Sequence, residues 1–420
     1  MSNTPSGQPP VLGPVTKGPP APKSRPARIR GEASPKPGVV ATATRSQEFT
    51  FSLKPREIAR HLDRFVIGQS EAKKVLGVAL CDHFQHVRMT LEGHEAPFYQ
   101  KQNVLLLGPT GVGKTHLIRS AADLIGVPFV KADATKFSET GYVGGDVDDL
   151  VRDLVRRAGG NVKKAEHGII YLDEVDKLAT RGESAGRDVS GRGVQTNLLK
   201  LMEDGDVPLV SPNDMTGQLQ NAMAAMRGGG TAQPETVSTR HILFIVSGAF
   251  SGLDRMIRAR LSARATAASQ DLASAVSATK VARMTADELF AEAMTADFIQ
   301  YGLEPEFVGR LPVRVACHGL DTEDLFNVLR KSESSLIHQY ERAFGAYGIE
   351  VGFTDDGLRR LAHLAGEERT GARGLMTVCE RVFRDLKFAL PSSRVRSFKV
   401  TADLVNDPRA SLKKLLAAVK

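Results

Sequence analysis

Gly108-Pro109-Thr110-Gly111-Val112-Gly113-Lys114-Thr115 is the stretch that decides the fold. It fits the pattern G-x-x-x-x-G-K-[ST], and its surroundings are those the pattern requires. The apolar run Val104–Leu107 ends directly before it, and helical spacing over Thr115–Leu124 opens directly after it. Glycines let the backbone curl until its N–H groups face a phosphate oxyanion, and a helix beginning beside Lys114 adds the positive end of its dipole. In such a loop Lys114 reaches the β- and γ-phosphates as a point charge, and the Thr115 hydroxyl ligates Mg²⁺. All eight residues are expected to hold the phosphates of ATP.

The next informative string lies about 60 residues downstream: Ile169-Ile170-Tyr171-Leu172-Asp173-Glu174. An apolar strand ending in Asp173 sets a carboxylate at the C-terminal edge of a sheet, where it binds Mg²⁺ through water. Glu174 is then positioned to polarise the attacking water as general base, which separates a hydrolase from a mere nucleotide binder. Two acids at a strand end also fit plain solvent exposure; the upstream loop favours catalysis. Further strands are expected at Pro128–Lys131 and Ile242–Val246, and helices at Lys54–Phe65, Ser70–His86, Asp148–Ala158 and Gly193–Glu203. Repeated strand–helix alternation predicts an α/β fold, a parallel sheet covered by helices. After about Cys317 the pattern is mostly helical, with strands expected at Ile349–Phe353 and Ser397–Val400, a smaller α+β domain.

The chain of 420 residues is long enough for two or three domains. We expect a Pro-rich, basic, disordered tail over residues 1–48, a nucleotide-binding domain over 49–316 and a small domain over 317–420. The tail holds ten of the 21 prolines and cannot bury enough apolar surface to offset its ordering entropy. It also carries +5 of the net +8, so the remaining chain is nearly balanced. With no Trp and no aromatic-basic interleaving, no dedicated nucleic-acid site is expected. No apolar run is long enough to span a bilayer, and no apolar h-region follows the N-terminal basic residues. Cys81, Cys317 and Cys379 are isolated, which supports neither disulfides nor zinc and suits a reducing, cytoplasmic setting.

Further strings resemble the ClpX family of AAA+ protein unfoldases, from about residue 54 to 404. They are Phe65-Val-Ile-Gly-Gln69, the phosphate loop, Gly141-Tyr-Val-Gly144, Leu172-Asp-Glu-Val-Asp-Lys177, Arg187-Asp-Val-Ser-Gly191, Pro305-Glu-Phe-Val-Gly-Arg-Leu-Pro312 and Thr370-Gly-Ala-Arg-Gly-Leu375. Arg181-Gly-Glu-Ser and Ser247-Gly-Ala-Phe250 look more like the sister unfoldase HslU. That family carries a large insertion where only about 25 residues follow the Tyr loop here. The resemblance implies an ATPase working as a homo-hexameric ring on polypeptide substrates. It implies that Val66 and Ile67 lie against the adenine, although core packing fits them equally well by composition. Arg310 would be the finger reaching a neighbour's γ-phosphate, and Arg373 a sensor touching the nucleotide of its own chain. Ser247 is a candidate γ-phosphate sensor. Tyr142 and Val143 match the axial pore loop that grips substrate, and Arg187–Ser190 a second pore loop.

Three departures accompany the match. No cysteine precedes Cys81, so the four thiolates of the ClpX zinc domain are not expected. Residues 259–295 contain no glycine, so the aliphatic-Gly-Phe tripeptide that docks on a ClpP-type peptidase is expected to be absent. Arg227 is the only basic residue between 205 and 239, so the Arg-Lys-His loop at the pore entrance is missing too. The leading expectation is an ATP-dependent unfoldase, with or without a peptidase and with no peptidase site of its own. The alternatives are a standalone remodelling ATPase and a nucleotide-switched scaffold.

Overall fold

Val104–Leu107 (β1) is buried at all four positions. It sits inside a sheet because both of its edges are paired. The computed structural model describes residues 49–94, 99–138, 145–179, 191–210, 236–267 and 279–419. Phe49 to the C-terminus forms one unit. The strands that follow are β2 Phe129–Asp133, β3 Ile169–Asp173, β4 Asp206–Pro208, β5 Thr236–Ser238, β6 Leu243–Gly248, β7 Val313–Ala316, β8 Glu350–Phe353 and β9 Ser397–Val400. The main sheet has the order β2-β3-β6-β1-β7 and is parallel throughout. β4 and β5 form a separate antiparallel pair, and β8 and β9 a parallel one.

Successive residues of each central strand enter opposite cores. Leu105, Leu107, Ile170, Leu172, Phe244 and Val246 face one side. Val104, Leu106, Ile169, Tyr171, Leu243 and Ile245 face the other. Burial on both faces explains why these strands read as unbroken apolar runs rather than as alternation. Helices α1 Pro55–Asp63, α2 Ser70–Leu91 and α3 Lys114–Ile125 cover the second face through Ile58, Leu62, Leu76, Phe84, Leu117 and Ile118. On the first face, α4 Asp149–Arg157, α5 Val162–Ala165 and α6 Gly191–Met202 supply Leu150, Leu154, Ala165, Val194 and Leu198. A fully buried Leu or Ile contributes about 1.5–3 kcal/mol, so these stripes hold the layers together.

From Leu325 onward the buried side chains belong to a third core, built around Phe344, Leu361, Phe383 and Leu386. Its helices include Thr322–Lys331, Leu336–Gly345, Asp355–Glu367 and Ala372–Ala389. Several elements were not expected from the sequence, among them β4, β5, β7 and the helix Leu253–Ala267. β7 is an edge strand whose Val-Arg-Val-Ala run, interrupted by Arg314, does not read as a buried strand. Leu253–Ala267 is a helix that reaches into the glycine-free stretch 259–295, for which no element was expected.

Candidate active site

The loop after β1 turns into α3, with Lys114 its first residue. Lys114 is only 8% exposed. Its Nζ donates to Gly108 O at 2.5 Å and Pro109 O at 2.8 Å. Both partners are uncharged. Burial pushes the ammonium below its usual range, against the pull of Cys317, Asp173 and Asp176, while Arg373 adds to the push. A desolvated cation held only by carbonyl dipoles, at the N-terminus of a helix with no acid in its first turn, fits an incoming phosphate.

Asp173 ends β3 and stands in register with Asp133 of β2. Its Oδ2 lies 3.3 Å from Thr115 Oγ1 and 3.2 Å from Lys131 Nζ. Its Oδ1 accepts from Ser247 Oγ at 2.6 Å and from Glu174 N at 3.2 Å. Burial alone would raise its pKa, but the hydrogen bonds from Ser247 and Lys131 outweigh that and hold it below the usual carboxylate range. Asp173 is therefore an anion whose oxygen neighbours a hydroxyl. One or two such hard oxygens beside a phosphate are what Mg²⁺ takes from a protein. Among the described residues no cluster of three His, Cys, Asp or Glu side chains forms another metal cage.

Glu174 follows in the left-handed region, at φ +60°. For a residue with a Cβ this costs of order 1–3 kcal/mol, a strain found where function fixes the backbone. Ser247 is fully buried, and its Oγ lies 2.7 Å from Tyr171 OH as well as on Asp173. Its hydroxyl is thus turned onto the carboxylate rather than outward. Asp176, 4% exposed, receives Ala249 N–H on one oxygen at 3.3 Å and adds a second negative charge near Lys114.

The Phe65–Gln69 string is the turn between α1 and α2. Lys73 Nζ holds its Val66 carbonyl at 2.7 Å and Asp63 at 2.6 Å. Gln69 exchanges two hydrogen bonds with the His318 backbone, each 2.8 Å. Arg64 pairs with Glu333 at 2.6 Å. Val66 is buried and faces the loop: a Cβ at Gly113 would stand 3.3 Å from its Cγ1; Ile67 is half-buried. A cleft of about 260 Å³ lies alongside, lined by Phe65, His116, Arg119 and Ser334 among others. From the small core, Ala372 N donates to Gly111 O at 2.9 Å. A Cβ at Gly111 would come within 2.1 Å of Thr370 O, so only glycine allows this approach. Arg373 is exposed in the first turn of helix Ala372–Ala389, which has no acid there to balance it. A cation at that end opposes the helix dipole unless an anion joins it.

Arg310 lies at the other end of the sheet. Asn103, just ahead of β1, accepts Phe244 N–H on its side chain and donates Nδ2 to Arg310 O at 3.1 Å. β1, four residues or roughly 13 Å long, separates that position from Gly108, too far for an arginine to reach its own phosphate loop. Tyr142, Val143, Arg187–Ser190 and Arg227 lie outside the described residues; so does part of 259–295. The stems of the Tyr142 segment are paired, Gly145 N donating to Lys136 O at 3.0 Å. Sequence reasoning missed Lys131, Lys73 and the Tyr171–Ser247–Asp173 chain. Their signal is three-dimensional, since Ser247 and Asp173 are 74 residues apart.

The description of an AAA domain of the Cdc48 subfamily matches residues 99–314. The chain is 39% identical over 363 residues to the ATP-dependent Clp protease ATP-binding subunit ClpX 3 of Methylococcus capsulatus, covering 84% of this chain and 80% of that one. It is 37% identical over 348 residues to the ATP-dependent Clp protease ATP-binding subunit ClpX of Treponema denticola, covering 81% and 78%.

Proposed function

Starting from a chain that belongs to the ClpX family of AAA ATPases, we propose how its residues hydrolyse ATP and use it to unfold protein. Gly108–Thr115 cradle the phosphates, with Lys114 on the β- and γ-groups. Thr115 and Asp173 hold Mg²⁺, which when bound neutralises phosphate charge. Glu174 accepts a proton from the attacking water. Ser247 acts on the γ-phosphate through Asp173, whose orientation and charge it maintains. Val66 and Ile67 line the adenine slot. Arg373, carried by the small domain 317–420, touches the same nucleotide and links its state to the angle against the domain 49–316.

The observation that carries the reading is the separation of Arg310 from its own phosphate loop by the length of the sheet. A finger so placed serves a neighbour's site, so the working unit is a closed ring, for which the resemblance to the ClpX family implies a homo-hexamer. In that ring Tyr142 and Val143 grip a polypeptide, and the chain is cytoplasmic. The test is ATPase turnover with and without an unstructured protein. Turnover is expected to rise on its addition, and Tyr142→Ala is expected to keep hydrolysis while losing the unfolding of a tagged substrate. Normal unfolding by that variant would remove Tyr142 from the pore. A peptidase partner is the second reading, favoured by the Clp protease names of both relatives.

A further inference from the structure

The Arg310 guanidinium is already engaged within its own chain. Its Nη2 forms an ion pair with Glu203 Oε1, across 107 residues of sequence. Each partner projects from an independently anchored backbone. Arg310 O accepts from Asn103, and Arg310 N closes its turn on Glu306 O and Phe307 O. Glu203 O accepts from Thr239 Oγ1 at 2.8 Å and from Lys101 Nζ at 3.2 Å. Thr239 is fully buried and also bonds Gly205 in both directions, at 2.8 and 3.1 Å. The Glu203 and Arg310 side chains are 42% and 47% exposed. An exposed pair contributes little to stability, which does not account for two fixed backbones aimed at one another.

The contact also uses one nitrogen only. Among the described residues Nε and Nη1 of Arg310 have no partner, so the planar fork keeps donors for an oxyanion while Nη2 is held. We propose that Glu203 is the positioning residue of the Arg310 finger, holding one corner of the guanidinium from within the chain so that Nη1 meets the γ-phosphate bound by the next subunit. This rests on the reading of Arg310 as a finger.

The experiment compares full-length rings of wild type, Glu203→Gln, Glu203→Asp, Arg310→Ala and the Glu203→Gln/Arg310→Ala double variant in steady-state ATPase assays. Glu203→Gln is expected to lower kcat about tenfold with KM for ATP nearly unchanged, the signature of a misplaced transition-state contact. The melting temperature should stay at the wild-type value, and Glu203→Asp should restore most of kcat. Added to Arg310→Ala, Glu203→Gln should cost nothing further, since there is then no finger to position. A wild-type or raised kcat for Glu203→Gln, or a loss additive with Arg310→Ala, overturns the proposal. If Arg310→Ala alone keeps full kcat, the finger reading itself fails.

Discussion

At the scale of single residues, a buried charge with neutral partners identifies the site better than any pattern does. Lys114 is desolvated, and two carbonyl oxygens are its hydrogen-bond partners. Such an ammonium costs the fold free energy, and on the proposed reading a bound phosphate would offset that cost. Lys114→Met keeps the length and removes the charge. It is expected to abolish nucleotide binding in a fluorescent-ATP titration and to cut hydrolysis by at least about 100-fold. The melting temperature without nucleotide should hold or rise, and a clear fall would mean that Lys114 is kept for the fold. Lys114, Thr115, Asp173 and Glu174 could be read from the sequence as candidates because each sits in a contiguous string at the end of an apolar run. Lys131 was not legible. It is one lysine on a strand, and only the register of β2 against β3 brings its Nζ to Asp173 and Thr115. Ser247 was legible as a strand-end hydroxyl, whereas its hydrogen bonds to Asp173 and Tyr171 are a property of the fold.

At the scale of elements, the two ends of the sheet have different chemistry. The C-terminal ends carry the phosphate loop and Asp173, while the N-terminal ends meet a group of histidines. His167 precedes β3, His241 precedes β6, and His83 and His86 lie on α2. His83 Nε2–H donates to His241 O at 3.0 Å, and the His86 ring stacks on Tyr99 at 3.4 Å. Burial pushes the His83 pKa down to about 3 and that of His241 to about 4, and also lowers His86 and His167. The sign follows from proton counts. Below about pH 6.5 the unfolded chain protonates these imidazoles more fully than the folded chain does, so the unfolded state binds more protons and stability falls. Above about pH 6.5 they add no slope. Urea titrations across pH should therefore show unfolding free energy declining from about pH 6.5 towards pH 4. His83→Gln should reduce the slope there by up to about 1.4 kcal/mol per pH unit, and an unchanged slope would remove His83 from the account. The central strands were legible for the same reason that this edge is dry: β1, β3 and β6 bury both faces. β7 was not, because an edge strand tolerates Arg314, and the helix Leu253–Ala267 was not, because its Arg- and Ala-rich surface shows little amphipathic pattern.

At the scale of the whole molecule, the proposed role of Arg310 as a finger calls for more than one chain. The phosphate loop belongs to the C-terminal ends of the strands, and Arg310 is anchored through Asn103 at the N-terminal ends. No rearrangement of one side chain brings the two together across the length of β1. On that proposal a complete site takes Glu174 from one subunit and Arg310 from the next, which subunit mixing can test. Glu174→Gln keeps the loop that binds ATP, and with it the means to assemble, but lacks the base. Arg310→Ala keeps the base but offers its neighbour no finger. Each homogeneous ring is expected to be nearly inactive. In a random one-to-one mixture, an Arg310→Ala subunit followed by a Glu174→Gln subunit makes one intact site, and roughly a quarter of all sites meet that condition in a cyclic ring. ATPase activity should therefore reappear on mixing and scale with the product of the two subunit fractions, peaking at equal amounts. A finger acting within its own chain gives no recovery at any ratio, because neither variant then contains a complete site. The mixing curve thus reads out whether the sheet that separates Arg310 from Gly108 is also what makes the chemistry depend on assembly.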